Sequence, residues 1–302
     1  MMKLVYTLDD LESRTTLDAG AGKPARLAVL GWPVAHSASP QMHQPVLDAA
    51  GIDARYIRLE VEPGLIAKAF TRMRELGFIG CNVTVPHKTD ALANCTWVHP
   101  DALVLGAVNT VNFEGESIRG YNTDGPGFAS AIEDDFGLPL GAHSIAIAGA
   151  GGGAGQAIAV QCVLAGVKRL VLVNRTEEKL GPLVDRLMAL GLGTEIIPVT
   201  FGSVALAELC RSCDLIVNTS SVGLKAGDPS ILTEICLRPE HMVYDTIYQP
   251  PVTPLLASAG VLGCRCSNGL SMLLHQGALA FQHWFPQSQP LAVMRAALTQ
   301  CG

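Results

Sequence analysis

The five residues Gly149-Ala150-Gly151-Gly152-Gly153 constrain this chain more than any other segment. They follow the apolar run Ser144 to Ala148 and precede an alanine-rich stretch from Ala154 to Ala165. A strand-length apolar run, a glycine turn and a helical stretch make one unit, and the next apolar run, Arg169 to Val173, supplies a parallel partner strand. That order suits a dinucleotide, because glycines let the backbone approach a pyrophosphate and the helix N-terminus faces its charge. The register stays open: Gly149, Gly151 and Ala154 satisfy G-x-G-x-x-A, while Gly151, Gly153 and Gly155 offer a shifted one. Ser144 to Val167 holds no charged residue and has the length of a membrane span. A chain bending at glycines in lipid would leave backbone groups unpaired, so a strand, a tight turn and a buried helix explain the segment better.

The residues after the second strand bear on which dinucleotide is bound. An NAD-binding unit usually ends this strand in an acidic residue that takes the ribose 2′-hydroxyl. Here it ends in Asn174-Arg175-Thr176, with Lys179 one helical turn further on. A guanidinium clamps a 2′-phosphate where a carboxylate would repel it, so the charge pattern favours NADP over NAD. The plainer reading of Arg175 is a solvated residue at a strand end.

Length and charge exclude other classes. At 302 residues the chain can form two ordinary domains with cores that need no disulfide or metal staple. A net charge of −6, from 21 Lys+Arg against 27 Asp+Glu with no basic run, argues against nucleic-acid binding. Asp9 and Asp10 arrive before a signal-peptide core accumulates, and nine cysteines without framework spacing read as reduced thiols, which together imply a cytoplasmic protein. Cys210-x-x-Cys213 with Cys264-x-Cys266 has the residues of a zinc site. Cys213 runs directly into the strand-like Leu215-Ile216-Val217, however, and buried small hydrophobes are the simpler role, so no metal is expected.

Short β-like runs alternate with amphipathic ones along the first third: Arg26 to Leu30, Gln41 to Ala50, Arg55 to Leu59, Gly64 to Leu76 and Phe78 to Val83. The rhythm restarts at Ser144 and continues through a helical stretch at Glu177 to Leu190 and a strand at Asp214 to Asn218. The fold class is therefore α/β in two domains: an N-terminal, mostly parallel substrate domain and a Rossmann-type nucleotide domain. The junction falls in the turn-rich Gly120-Tyr121-Asn122-Thr123-Asp124-Gly125. The last stretch, Leu270 through Phe285 and again Leu291 to Leu298, is helical with no strand after it and can cross back to the first domain. Residues 1–123 with 270–302 then form the substrate domain, with 1–24 as an extra N-terminal segment, and 124–269 form the nucleotide domain.

Four polar segments of the first domain mix hydrogen-bonding side chains with residues that fix the backbone: 31–40 (GWPVAHSASP), 82–88 (NVTVPHK), 106–110 (GAVNT) and 120–125 (GYNTDG). Ser, Thr, Asn and Asp suit a substrate with several hydroxyls. In this order and spacing the segments closely resemble the shikimate dehydrogenase family. The resemblance covers nearly the whole chain after about Ala25 and extends to Asp214 through Ser220, Asp245 through Pro250, Thr253 through Leu256, and Gly269 through Leu273 ending in Gln276.

The resemblance implies that Ser37 and Ser39 bind a substrate carboxylate with help from Tyr248. It gives Thr84, Asn109, Asp124 and Gln276 to the ring hydroxyls, places Asn82 beside them, and makes Lys88 the catalytic acid/base with Asp124 orienting its amine. Toward the cofactor it implies the glycine turn, Asn174, Arg175, Thr176, Lys179, Thr219, and the nicotinamide contacts Gly269 and Met272. Chemistry supports Lys88, because hydride addition to a ketone leaves an alkoxide that an ammonium within hydrogen-bonding distance protonates. Charge pattern alone would make Lys88 a solvated residue in the first helical turn after Pro86. His36, His87 and His275 read as loop or helix-surface residues without catalytic duty. The chain departs from the family in an extra glycine in the turn, in Ser271 where glycine is usual, and in Met1 to Lys23, which is either partly disordered or an added element.

The expected activity is reversible NADPH-dependent reduction of 3-dehydroshikimate to shikimate by a monomer or homodimer. The rivals are a quinate or aminoshikimate dehydrogenase using NAD(P), and a non-catalytic NADP-sensing paralogue that should have lost Lys88 and Asp124. If Arg175 clamps the 2′-phosphate, Arg175→Ala should raise KM for NADP and leave KM for NAD unchanged; equal effects on both in steady-state kinetics would refute the assignment.

Overall fold

The computed structural model describes residues 3–299. Met1, Met2 and the last three residues lie outside them. The chain forms two compact units, residues 1–123 with 274–302 and residues 124–273.

The first unit is built on a six-stranded sheet of β1 (Ala25–Gly31), β2 (Arg55–Glu60), β3 (Gly80–Val83), β4 (Trp97–Val98), β5 (Thr110–Glu114) and β6 (Ser117–Tyr121), in the order β2-β1-β3-β5-β6-β4. Neighbours are parallel except around β5, which runs antiparallel to both β3 and β6. That hairpin, absent from the sequence expectation of a simple β-α alternation, reverses the chain through Gly115, whose φ of 60° few other residues adopt.

The helices of this unit are α1 (Arg14–Leu17), α2 (Ser39–Ala49), α3 (Ile66–Glu75), α4 (Lys88–Ala93) and α5 (Pro100–Leu105). In α3 the buried residues Ile66, Ala69, Phe70 and Met73 fall at i, i+3, i+4 and i+7, the stripe that lays a helix on a sheet. They join Leu30, Leu59, Val83 and Val111 in one core. The extra N-terminal segment is an added element: Tyr6 bridges β2 through Tyr6 N to Arg58 O at 2.9 Å and Glu60 N to Tyr6 O at 2.7 Å. Leu11 and Leu17 are fully buried in the same core.

The second unit begins at α6 (Asp124–Phe136) and holds a six-stranded, all-parallel sheet of β7 (Ile145–Ala148), β8 (Arg169–Asn174), β9 (Glu195–Thr200), β10 (Leu215–Asn218), β11 (Met242–Asp245) and β12 (Arg265–Asn268). Its order, β9-β8-β7-β10-β11-β12, is the doubly wound 3-2-1-4-5-6 arrangement with its switch point between β7 and β10. Helices α7 (Gly153–Leu164), α8 (Leu180–Met188), α9 (Leu206–Arg211) and α10 (Pro254–Val261) connect the strands. Buried Ala157, Ile158, Ala159, Val160, Cys162 and Val163 run almost all round α7, which explains a charge-free segment without a membrane. Among the described residues no helix is long and apolar enough to cross one. The expected helix from Glu177 starts instead as a 3-10 turn, with α8 beginning at Leu180.

The chain crosses back within α11 (Leu270–Trp284), whose residues from Leu274 onward belong to the first unit, and ends in α12 (Leu291–Thr299) against α2. Trp284 donates from Nε1 to Val111 O at 3.0 Å, directly over Gly80, where a Cβ would lie 2.2 Å from that nitrogen.

Close approach also fixes the glycines of the nucleotide unit. A Cβ on Gly155 would lie 2.5 Å from Gly149 O and 2.7 Å from Thr219 Oγ1, whereas one on Gly153 meets nothing within 4 Å. Gly155→Ala should therefore destabilise the protein by about 1–3 kcal/mol. Gly153→Ala should leave stability unchanged or raise it by up to about 1 kcal/mol. Urea unfolding of both variants checks the contrast, which equal midpoints would contradict.

Candidate active site

In the first unit, parallel β1 and β3 end at Gly31 and Val83. Because β5 is antiparallel to β3, it starts where β3 stops, with Asn82 opposite Thr110, and β6 ends there too, with Tyr121 opposite Thr110. The reversal brings Asn109 and Thr123 to the carboxyl edge of the parallel strands, where α/β sheets bind ligands.

A buried polar network occupies that edge. Asn109 is 3 % exposed; its Oδ1 accepts from Thr123 N at 2.8 Å and Thr110 Oγ1 at 3.0 Å, and its Nδ2 donates to Thr123 Oγ1 at 3.0 Å. Asn82 accepts from the Tyr56 hydroxyl at 2.7 Å and donates to Asn109 O at 3.3 Å and Thr110 Oγ1 at 3.2 Å. Asn82 is thus a strut joining β2, β3 and β5. Burial pushes the Tyr56 phenol well up, so its hydroxyl stays a donor.

Ser37 and Ser39 stand side by side, Ser37 Oγ donating to Ser39 Oγ at 3.1 Å. Thr84 sits at the end of β3, its methyl packed so tightly that a Cβ on Gly31 would be 2.7 Å from it. Lys88 opens α4, and its carbonyl accepts from Val108 N at 3.0 Å, which ties the residue before Asn109 to the start of that helix. His87, expected on the surface, is instead fully buried, with Nε2 2.7 Å from Val61 O; it anchors the turn that presents Lys88. Gln276 lies on α11 beside Gly277, whose missing side chain admits Met42 of α2. His43, stacked on Tyr56 at 4.5 Å, has its pKa lowered to about 3 by burial and stays neutral.

In the second unit the turn after β7 is hung on β8: Gly149 N and Ala150 N donate to Val173 O at 2.9 and 3.1 Å. Asn174 clamps it, accepting from Gly151 N at 3.3 Å and donating to Thr176 O at 2.8 Å. Gly149 has φ of 88°, and a Cβ on Gly151 would be 2.7 Å from Asn174 Nδ2. The spacing that sterics require is Gly149-x-Gly151-x-x-x-Gly155, neither of the two registers the sequence offers. Gly152 and Gly153 are exposed, and the amides of Gly153, Ala154 and Gly155 precede the first helical bond, Gln156 N to Gly152 O. Such amides face an anion at a helix N-terminus. Arg175, just after β8, and Lys179, in the 3-10 turn that follows, are exposed, and their side chains have no hydrogen-bond or ion-pair partner among the described residues. These residues fit a dinucleotide phosphate.

Thr219 follows β10 and bonds back to Ala148 O through Oγ1 at 3.0 Å. Asp245, fully buried, accepts from Asn218 Nδ2 at 3.0 Å, Ile247 N at 3.0 Å and Thr253 Oγ1 at 2.7 Å, and thereby shapes the loop that carries Tyr248. Burial raises the Tyr248 phenol pKa. Gly269 faces that loop so closely that a Cβ would be 2.0 Å from Thr246 O. Met272 N donates to the Tyr244 hydroxyl at 3.1 Å, and Ser271 spans from that hydroxyl, at 3.1 Å, to Asp135 Oδ2, at 2.6 Å. The serine that departs from the family pattern is therefore held in place by partners of its own. Asp124 is the first residue of α6.

Sequence reasoning missed Tyr56, Arg58 and Glu60 on β2, although polar residues alternating within Arg55–Glu60 were a visible signal. It missed Asp135, whose partners Ser267 and Ser271 are remote in sequence, and it placed Thr123 in a polar segment without giving it a role. Cysteine is mostly a buried filler, as at Cys81, Cys162 and Cys210, but Cys266 is exposed. Among the described residues no group of three or more His, Cys, Asp or Glu could hold a metal.

Comparison with known proteins gives two family matches, the shikimate dehydrogenase substrate binding domain over residues 29–111 and the shikimate 5′-dehydrogenase C-terminal domain over 269–299. The shikimate dehydrogenase (NADP(+)) of Moorella thermoacetica is 40% identical over 275 residues, 91% of this chain and 92% of the relative. The structure of shikimate 5-dehydrogenase from Thermus thermophilus in complex with NADP(H) and shikimate matches with TM-score 0.78 and 35% identity, over 91% of this chain and 99% of that one. A quinate dehydrogenase from Corynebacterium glutamicum in complex with NAD matches with TM-score 0.81 at 28% identity, over 91% and 98%. Sheet order, glycine turn and polar edge thus agree with sequence identity, and the chain belongs to the shikimate dehydrogenase family.

Proposed function

We propose that the protein reduces 3-dehydroshikimate reversibly to shikimate with NADPH, as a cytoplasmic enzyme. The carrying observation is the carboxyl edge of the first sheet, where Ser37, Ser39, Thr84, Lys88 and Asn109 come from separate segments onto one hydrogen-bonded frame. Ser37 and Ser39 donate to the substrate carboxylate with Tyr248, and Thr84, Asn109, Asp124 and Gln276 hold the ring hydroxyls. Asn82 supports Asn109 from behind.

NADPH, when bound, supplies the hydride. Gly149 through Gly153 with Ala150 give its pyrophosphate backbone amides, Asn174 and Thr176 fix that turn, and Arg175 with Lys179 meets the 2′-phosphate. Thr219 would contact the cofactor beside the glycine turn, and Gly269 and Met272 would border the nicotinamide. As the ketone oxygen gains charge, the Lys88 ammonium stabilises it and gives up a proton, so ketone, hydride and proton balance to the alcohol. Asp124 orients the amine. In the oxidative direction the neutral amine takes the hydroxyl proton back.

The quinate dehydrogenase fold match makes quinate with NAD the second reading. Arg175 at the end of β8 and the Ser37/Ser39 pair favour shikimate with NADP. Steady-state rates for shikimate and quinate, each with NADP and NAD, test both at once: kcat/KM should be highest for shikimate with NADP, and a maximum elsewhere refutes the reading. Lys88→Ala should lower kcat by roughly 10²–10⁴ with KM little changed, and a near-normal kcat removes Lys88 from the mechanism.

A further inference from the structure

Tyr56, Arg58 and Glu60 share one face of β2, since side chains two residues apart point the same way. All three serve the substrate edge. Glu60 Oε1 accepts from Val34 N at 3.2 Å, holding the front of the loop between β1 and α2, while Tyr56 holds Asn82. Arg58 holds the back of that loop, donating from Nε and Nη2 to Ser37 O at 3.0 and 2.7 Å and from Nη2 to Gln41 Oε1 at 2.8 Å.

The other cations on this flank are matched: Lys3 with Asp10, Lys23 with Asp48 and Arg55 with Asp18. Arg58 is not. It is 8 % exposed, its partners are neutral oxygens, and among the described residues no carboxylate lies within ion-pair distance of it. A guanidinium stays charged in proteins, and burying it without a counter-charge is costly. An anion bound by the neighbouring hydroxyls would supply that counter-charge.

We propose that Arg58 is the positioning residue of the carboxylate pocket: it fixes Ser37-Ala38-Ser39 so that both hydroxyls converge, and its unmatched charge makes the pocket select an anion over a neutral group. The proposal rests on the reading of Ser37 and Ser39 as the carboxylate site. It explains how two neutral hydroxyls discriminate a carboxylate, because the charge stands behind the loop.

The test compares KM for shikimate and for its uncharged methyl ester in the wild type, Arg58→Gln and Arg58→Lys. In Arg58→Gln, KM for shikimate should rise roughly 10- to 100-fold more than KM for the ester, with kcat and KM for NADP each within about 3-fold of wild type. Arg58→Lys keeps the charge but loses the forked geometry, so its ester-to-acid KM ratio should stay within about 3-fold of wild type even where both KM values rise. Equal increases for acid and ester in Arg58→Gln would reduce Arg58 to a loop support and overturn the proposal. So would a collapse of the ratio in Arg58→Lys, which also decides the matter if the glutamine variant does not fold. A wild type that does not prefer shikimate to the ester removes the underlying carboxylate reading, and the proposal falls with it.

Discussion

The hydrogen bonds that Asn82 and Asn109 make across the end of the first sheet are the interaction on which the candidate site depends. Asn109 precedes β5, which runs antiparallel to β3, so its amide reaches the edge where the parallel strands β1 and β3 release their loops. Both amides are buried, and an unpaired buried amide costs roughly 1–3 kcal/mol. The partners Thr110, Thr123 and Tyr56 therefore hold as well as satisfy them. A ligand with several hydroxyls meets groups already oriented, which reduces the ordering that binding must impose.

The second unit reaches the same end with backbone. Its switch point between β7 and β10 opens a crevice at the strand ends, and Gly149, Gly151 and Gly155 let the turn, the Asn174 side chain and Thr219 approach to contact distance. Exposed Arg175, just past the end of β8, is where the proposed selectivity for the 2′-phosphate would sit, since a side chain there can vary without disturbing the packing. On the proposed reading, tight glycines and an exposed cation would divide the work between holding a phosphate and telling one dinucleotide from another.

Much of this was legible in the sequence. The apolar runs at Ser144 to Ala148 and Arg169 to Val173 are strands because they lie inside a parallel sheet covered on both faces. The hairpin of β5 and β6 was not legible: its strands are short, mixed in polarity, and fixed by pairing with β3. The glycine register was ambiguous because composition shows which residues lack a side chain, while only packing shows where one would collide. His87 read as surface because its partner is the Val61 carbonyl, a group every residue carries and no pattern reveals. The sequence leaves the N-terminal extension open between partial disorder and an added element; it is the latter, with Leu11 and Leu17 in the core, since an edge strand accepts an added neighbour wherever sequence supplies one.

The central claim is that the first unit presents a preformed site for a hydroxylated carboxylic acid. Calorimetric titration of shikimate into the cofactor-free protein tests it most directly. The account predicts saturable binding at one site per chain, weakened at least roughly 10-fold by Asn109→Ala through loss of charge-neutral hydrogen bonds and their frame. Binding that appears only with NADP present, or that is indifferent to Asn109, would contradict it.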